Sequence, residues 1–175
     1  MKKVIIGILI AVVLLGVIII GKGIGAYNSI IAGEENVRSA WAQVENTYQR
    51  RYDLIPNLVA TVQGEADFEK STLTAVIDAR SRLGGTVKVD ENMLGDEAAM
   101  KRFQESQATL GGALQRLMMV TENYPNLKSN QSFQDLRVQL EGAENRIAVE
   151  RKRYNETVRD FNTYIRQFPN NLVAG

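Results

Sequence analysis

The chain has 175 residues, 45% of them hydrophobic, which is enough for one domain with a single core. It contains no histidine and no cysteine, which excludes disulfides and removes the commonest general base and metal ligand. Lys and Arg number 21 against 20 Asp and Glu, so the balance of charge does not favour a nucleic-acid-binding protein. We therefore expect no cofactor, no metal site and no nucleic-acid partner.

An uncharged apolar segment, residues 4–20, opens the chain directly after Lys2 and Lys3. At about 1.5 Å per residue it forms a helix of roughly 26 Å, close to the thickness of the hydrocarbon core of a bilayer. It predicts one transmembrane helix with a cytoplasmic N-terminus, because positive charge favours that side. The alternative is a cleaved signal peptide, since residues 23–25 form a small-x-small pattern, although such apolar segments are usually shorter.

Apolar side chains spaced alternately by three and four residues predict long helices after this segment. The first covers residues 27–52 and the second residues 54–83. We expect Asp53 to cap the second helix and Pro56 to lie in its first turn, where the missing N–H of proline is tolerated. The alternative is one long helix kinked at Pro56.

Two further helices follow a connection at residues 84–95. Asp96 is expected to cap the third helix, which Tyr124 and Pro125 end. The fourth covers residues 133–168, with a seam made by Phe133, Leu136, Leu140, Ala143, Ile147, Tyr154, Val158, Phe161, Ile165 and Phe168. The sequence therefore predicts an all-α protein: an N-terminal transmembrane helix followed by an up-down-up-down four-helix bundle of long helices.

This topology predicts which end of the bundle lies near the membrane. Helices that alternate in direction place the connection at residues 84–95 and the C-terminal tail close to the bilayer. The turns around Asp53 and Pro125 then lie together at the far end of the bundle. The predicted domains are a membrane anchor at 1–26, the bundle at 27–169 and an apolar tail at 170–175.

Several sequence motifs resemble the bacterial LemA family over essentially the whole chain. Near the anchor they are Tyr27-Asn28, Ala40-Trp41-Ala42-Gln43-Val44-Glu45-Asn46 and Gln49-Arg50-Arg51-Tyr52-Asp53-Leu54-Ile55-Pro56-Asn57-Leu58-Val59. Further along they are Glu122-Asn123-Tyr124-Pro125-Asn126-Leu127-Lys128, Glu144-Asn145-Arg146-Ile147-Ala148, Arg151-Lys152-Arg153-Tyr154-Asn155, and Phe168-Pro169 with Asn171-Leu172-Val173-Ala174-Gly175.

The resemblance implies a single-pass protein of the bacterial cytoplasmic membrane, with an extracytoplasmic helical bundle and no established enzymatic activity. Relatives in magnetotactic bacteria are implicated in forming magnetosome membranes, which implies a membrane-organising role for some members. The chain departs from the family pattern at Gly111 and Gly112, where polar or small helix formers are common. Many members also have a longer tail beyond Gly175, so tail-dependent contacts are not carried over.

An enzyme is the less favoured interpretation of the bundle. Di-metal carboxylate bundles usually need Glu-x-x-His pairs, and serine hydrolases usually need a histidine base. Glu34, Glu69 and Glu150 lie at or near seam positions. We interpret them as residues at the edges of the seam, as partners of Arg80 or Arg146, or as determinants of helix register rather than as an acid–base cluster.

Two functions from different classes remain. In the first, anchored copies form a homo-oligomer and organise or shape the lipid bilayer, with Leu172 and Val173 as a candidate assembly tail. In the second, the domain is an adaptor or ligand sensor that modulates another membrane protein, such as a protease. Its predicted contact surface is the far-end turns, because loops often carry recognition: Arg50, Arg51, Asp53, Tyr124 and Lys128.

Overall fold

The computed structural model describes residues 2–65, 68–83 and 96–174. Its elements are α1 (Lys2–Gln63), α2 (Lys70–Arg82), α3 (Glu97–Thr121), α4 (Pro125–Ser129), α5 (Gln131–Arg166) and a 3-10 turn (Asn170–Leu172). The described residues form helices and contain no strand, so the predicted all-α class is confirmed. The up-down-up-down order and the limits of anchor, bundle and tail stay predictions. The connection predicted at residues 84–95 lies outside the described residues.

The predicted helix break at Asp53 is wrong, and α1 continues without interruption to Gln63. Asp53 lies inside α1, where its carboxylate accepts a hydrogen bond of 2.7 Å from Gln49 Nε2 instead of capping a new helix. Pro56 is exposed and also lies within the helix. The apolar seam runs across it, from Ile55 on one side to Leu58 and Val62 on the other, all buried, and this packing outweighs the hydrogen bond that proline cannot donate.

The turn that was expected near Asp53 instead begins at Gly64. The backbone N–H of Glu65 donates to the carbonyl of Val62, and that of Phe68 donates to the carbonyl of Glu65. The second helix is correspondingly shorter than predicted, since α2 begins only at Lys70.

The other predicted helix starts agree better with the structure. Asp96 caps α3 as predicted, accepting hydrogen bonds from the backbone N–H groups of Ala98 and Ala99 at 2.9 and 3.1 Å. The predicted long C-terminal helix is confirmed as α5, and Asn130 Oδ1 accepts a hydrogen bond of 3.1 Å from the backbone N–H of Phe133 at its start.

The described chain divides into two compact units, and each is described by itself. Unit 1 comprises Met1–Ala42 and Arg151–Gly175 and contains the apolar segment, which is long and apolar enough to cross a membrane. The burial of α1 in this unit begins at Ala26 and includes Ile30 and Trp41.

Two contacts fix the packing of α1 against the C-terminal part of α5 in unit 1. The rings of Trp41 and Tyr154 meet edge to face with centroids 5.1 Å apart. A Cβ added to Gly33 would lie 2.5 Å from Cδ2 of Phe161, so the glycine lets the ring approach the backbone. Burial raises the pKa of the Tyr154 hydroxyl.

Unit 2 is Gln43–Glu150 and contains the larger core. Its most completely buried side chains are Val44, Ile55, Leu58, Val62, Thr72, Val76, Leu110, Leu117, Thr121 and Phe133. The ring of Tyr48 packs edge to face on Phe103 at 5.5 Å, joining α1 to α3. The seams predicted for α1, α3 and the first half of α5 thus form this core.

Candidate functional site

Arg51, predicted as a partner-contact residue, lies buried within unit 2 with 3% of its surface exposed. Its Nη1 donates a hydrogen bond of 2.8 Å to Glu144 Oε1 on α5, completing an ion pair. Its Nη2 donates to the backbone carbonyl of Gln107 on α3 at 3.2 Å and also to the Gln107 side-chain oxygen. Arg51 therefore joins α1, α3 and α5 through one planar guanidinium.

A spacing signal for this buried arginine was present in the sequence. Arg51 follows Tyr48 by three residues and precedes Ile55 by four, which places it on the seam of α1. Gln107 lies at the corresponding seam position of α3, between Phe103 and Leu110. Sequence reasoning assigned Arg51 to a turn because it placed a helix break two residues later, and it therefore missed this contact.

Gly111 on α3 lies beside the Arg51 guanidinium. A Cβ added to Gly111 would lie 3.5 Å from Arg51 Nη1, whereas one added to Gly112 would meet nothing within 4 Å. Next to this contact, between α3 and α5, is a groove of about 370 Å³ lined by Gly111, Leu114, Gln115, Met118, Leu140, Glu141, Glu144 and Asn145. The groove combines an apolar floor with polar and acidic edges.

Tyr124 and Lys128 lie together where α3 passes into α4. The Tyr124 ring packs on Phe68 with centroids 4.9 Å apart, which joins this turn to the one after α1. Lys128 Nζ lies 2.7 Å from Glu122 Oε2. Arg137 Nη1 contacts the other Glu122 oxygen at 3.0 Å, so one carboxylate holds two cations.

The electrostatics of this cluster follow from those contacts. The hydrogen bond and the charge of Lys128, followed by the charge of Arg137, lower the pKa of Glu122. Arg137 Nε donates a hydrogen bond of 2.9 Å to Glu141 Oε1, and this carboxylate raises the pKa of Arg137. The cluster is exposed to water and presents charged groups of both signs.

The structure does not bring the predicted far-end residues into one surface. Arg50 and Asp53 are exposed on α1, ten or more residues before its end at Gln63. Arg51 is buried, and only Tyr124 and Lys128 belong to the turn cluster. The candidate tail residues Leu172 and Val173 lie in unit 1, at the end of the 3-10 turn, 72% and 36% exposed.

The three seam glutamates differ in environment. Glu34 and Glu69 are exposed, and Glu69 lies 3.9 Å from Arg116 rather than beside Arg80. The Arg80 guanidinium instead lies 4.1 Å from the centroid of the Tyr52 ring. Glu150 is half-buried. Within residues 2–65, 68–83 and 96–174, no three His, Cys, Asp or Glu side chains are placed to hold a metal ion.

Comparison with known proteins gives one matching family and several relatives. The sequence profile of the LemA family matches residues 40–175. The magnetosome protein MamQ 2 of Paramagnetospirillum magneticum is 29% identical over 163 residues, covering 85% of this chain and 60% of that protein. MamQ of Magnetospirillum gryphiswaldense is 28% identical with the same coverage. Protein LemA of Metamycoplasma hominis is 22% identical over 151 residues, covering 86% of this chain and 64% of that protein.

These matches locate the candidate sites within the related region. Arg51, Gln107, Glu144 and the turn cluster all lie inside the matched residues 40–175, whereas the apolar segment precedes them. The chain spans about 60% of the length of the MamQ relatives.

Proposed function

This chain belongs to the LemA family, and from that premise we propose that it is a non-enzymatic, membrane-anchored helical protein that self-assembles and organises or shapes the bacterial membrane. In this proposal residues 4–20 cross the cytoplasmic membrane once and the helices that follow lie outside the cytoplasm. Three relatives are named as magnetosome proteins, and a magnetosome is a membrane-bounded organelle, which supports a role at membranes.

The observation that carries the proposal is the continuity of α1. The apolar segment and the first helix of the LemA-like region form one helix, Lys2–Gln63, that includes Gly21, Gly23 and Gly25. The anchor therefore leads into the LemA-like region without a coil between them, whereas a glycine-rich coil would form a flexible linker. Anchored copies are confined to the plane of one bilayer, which favours repeated lateral contacts.

A stripe on α5 is our candidate face for such contacts. Val138, Gly142, Asn145 and Val149 recur at steps of four, three and four, and all are exposed. The two valines are 67% and 62% exposed, and a Cβ added to Gly142 would meet nothing within 4 Å. Apolar and small residues at helical spacing allow another helix to approach closely.

The test is the mass and shape of the full-length protein extracted in mild detergent, measured by light scattering and single-particle imaging. A version lacking residues 1–26 is measured in parallel. Self-assembly predicts a large, closed, symmetric particle for the full-length protein, and its size without the anchor reports how much the membrane segment contributes. Monomers in both preparations would contradict self-assembly.

The second candidate function is an adaptor that modulates another membrane protein. The cluster of Glu122, Lys128 and Arg137 favours it, because exposed charges of both signs at a turn suit recognition of a polar partner surface. In a pull-down from detergent-solubilised membranes, Lys128→Glu should lose such a partner while Arg50→Glu on the exposed face of α1 should retain it. Equal retention by both variants would contradict a contact at this turn.

A further inference from the structure

The antiparallel register of unit 1 extends toward the membrane end of α1. Trp41 contacts Tyr154 and Gly33 contacts Phe161, so a step toward the N-terminus on α1 matches a step toward the C-terminus on α5. Continued to the end of α5, this register places Arg166 opposite Asn28, and Phe168 follows two residues later in the turn, near the level of Ala26. The burial of α1 begins at Ala26, as expected if the chain covers it at that level.

Ala26 lies six residues after Ile20, the last residue of the apolar segment. Six residues of helix extend about 9 Å, which reaches the outer edge of a headgroup layer about 5–8 Å thick. Phe168, in the turn beyond α5, therefore lies near the outer edge of the headgroups when residues 4–20 span the hydrocarbon core.

Several large apolar side chains at this level are exposed. Phe168 is 80% exposed and Leu172, in the turn that follows, is 72% exposed. On α1, Ile24 and Tyr27 are 58% and 54% exposed. A Tyr ring such as that of Tyr27 is amphipathic and typical of the interfacial belts of membrane proteins, whereas purely apolar side chains such as Phe168 enter the boundary between headgroups and acyl chains.

We propose that the segment from Phe168 to Leu172 is a second membrane contact, a wedge of apolar side chains that enters the headgroup region of the same bilayer that α1 crosses. The proposal deepens the proposed function and rests on its membrane anchoring. The register favours lipid over a second copy as the occupant, because the apolar side chains continue the apolar surface of α1 at the level where it leaves the hydrocarbon core. Exposed Lys22 and Arg166 at this end of unit 1 suit anionic headgroups.

The wedge constrains how α1 and α5 stand on the membrane. A helix that crosses a bilayer alone tilts and rotates freely, and interfacial side chains on a second element restrict both motions. A two-point attachment thus orients the domain as well as holding it.

The test uses the single tryptophan of the chain as a reporter that can be moved. The full-length protein is reconstituted in vesicles of phosphatidylcholine and phosphatidylglycerol, with some lipids carrying a nitroxide quencher on the headgroup. Phe168→Trp is placed in a Trp41→Phe background and compared with native Trp41, which lies farther along α1. Asn162→Trp in the same background, exposed on α5, is the matched control.

We expect Phe168→Trp to lose more of its emission to headgroup nitroxide than Asn162→Trp does, as a ring in the interface should, and to resist quenching by iodide added to the water. Asn162→Trp should show the reverse pattern, and Trp41 should respond to neither quencher. Strong iodide quenching of Phe168→Trp would overturn the wedge. Protection from both quenchers would also overturn it, because it would indicate a covering protein copy.

A fourth reporter separates this proposal from membrane anchoring itself. Ile19→Trp in the Trp41→Phe background reports the apolar segment through a nitroxide placed within the acyl chains. Quenching of Ile19→Trp without headgroup quenching of Phe168→Trp would leave the anchor intact and overturn the wedge alone. If neither is quenched, both proposals fail.

Discussion

At the scale of residues, the central feature of unit 2 is the contact of the buried Arg51 side chain with Gln107 and Glu144. A guanidinium that is 3% exposed has left water, and the hydrogen bonds of its two Nη atoms to α3 and α5 offset part of that cost, while its Nε is buried without a partner. Buried polar contacts of this kind favour one helix register over others, because in a shifted register the donors that make these contacts would be unpaired. We therefore expect the main role of Arg51 to be stabilising the fold.

Replacing Arg51 by Met should lower the free energy of unfolding by about 1–3 kcal/mol, because it leaves the buried Gln107 oxygen without its donor. Adding Gln107→Leu to Arg51→Met should restore part of that loss, since both partners then become apolar. Arg50→Met, on the exposed neighbour, should change stability by less than about 0.5 kcal/mol. Urea unfolding followed by circular dichroism measures all three, and equal stability of the Arg50 and Arg51 variants would contradict a structural role for Arg51.

The ion pairs of Glu122 predict how the stability of the fold changes at acid pH. Its pKa is lowered in the folded state by Lys128 and Arg137, so the folded protein binds the proton less readily than the unfolded chain does. The stability that Glu122 contributes is present above its unfolded pKa and is lost as pH falls through the lower folded pKa. Wild type should exceed Glu122→Gln in melting temperature at neutral pH, and the two should converge in acid. A difference that does not change with pH would contradict this account.

At the scale of elements, α1 shows what helical spacing predicts well and where local signals mislead. The seam spacing correctly predicted the helical class, the long α5 and the apolar faces of α1 and α3. Asp53 and Pro56 formed a plausible start signal, yet the seam continues across them through Ile55 and Leu58, and packing prevails over local preference. The contact of Arg51 depends on three helices meeting, which the spacing of one helix does not specify.

Pro56 gives a test of this interpretation. Because it is exposed and lies inside α1, replacing it by Ala restores a backbone donor for the carbonyl four residues earlier and removes a steric conflict. Pro56→Ala should raise the free energy of unfolding by about 1–3 kcal/mol. It should also slow amide hydrogen exchange around Tyr52. A loss of stability would contradict the account, because it would indicate that the packing of α1 requires proline at this position.

At the scale of the whole molecule, the proposed function joins an anchor, a helix that continues from it and faces that neighbouring copies can contact. The exposed stripe of Val138, Gly142, Asn145 and Val149 on α5 is the face we assign to lateral contact. Val138→Glu combined with Val149→Glu should weaken assembly without unfolding the protein, because both sites are exposed. Gln139→Glu, an exposed neighbour, is the matched control for added charge.

The most direct test of assembly is energy transfer between copies in a bilayer. The chain has no cysteine, so Ser132→Cys, at an exposed site, gives a single attachment point for donor or acceptor dyes. Labelled full-length copies are mixed in vesicles and diluted with lipid. The account predicts transfer that persists on dilution and is lost in the variant with Val138→Glu and Val149→Glu but not with Gln139→Glu. Transfer that falls with dilution to the level of randomly placed copies would contradict self-assembly.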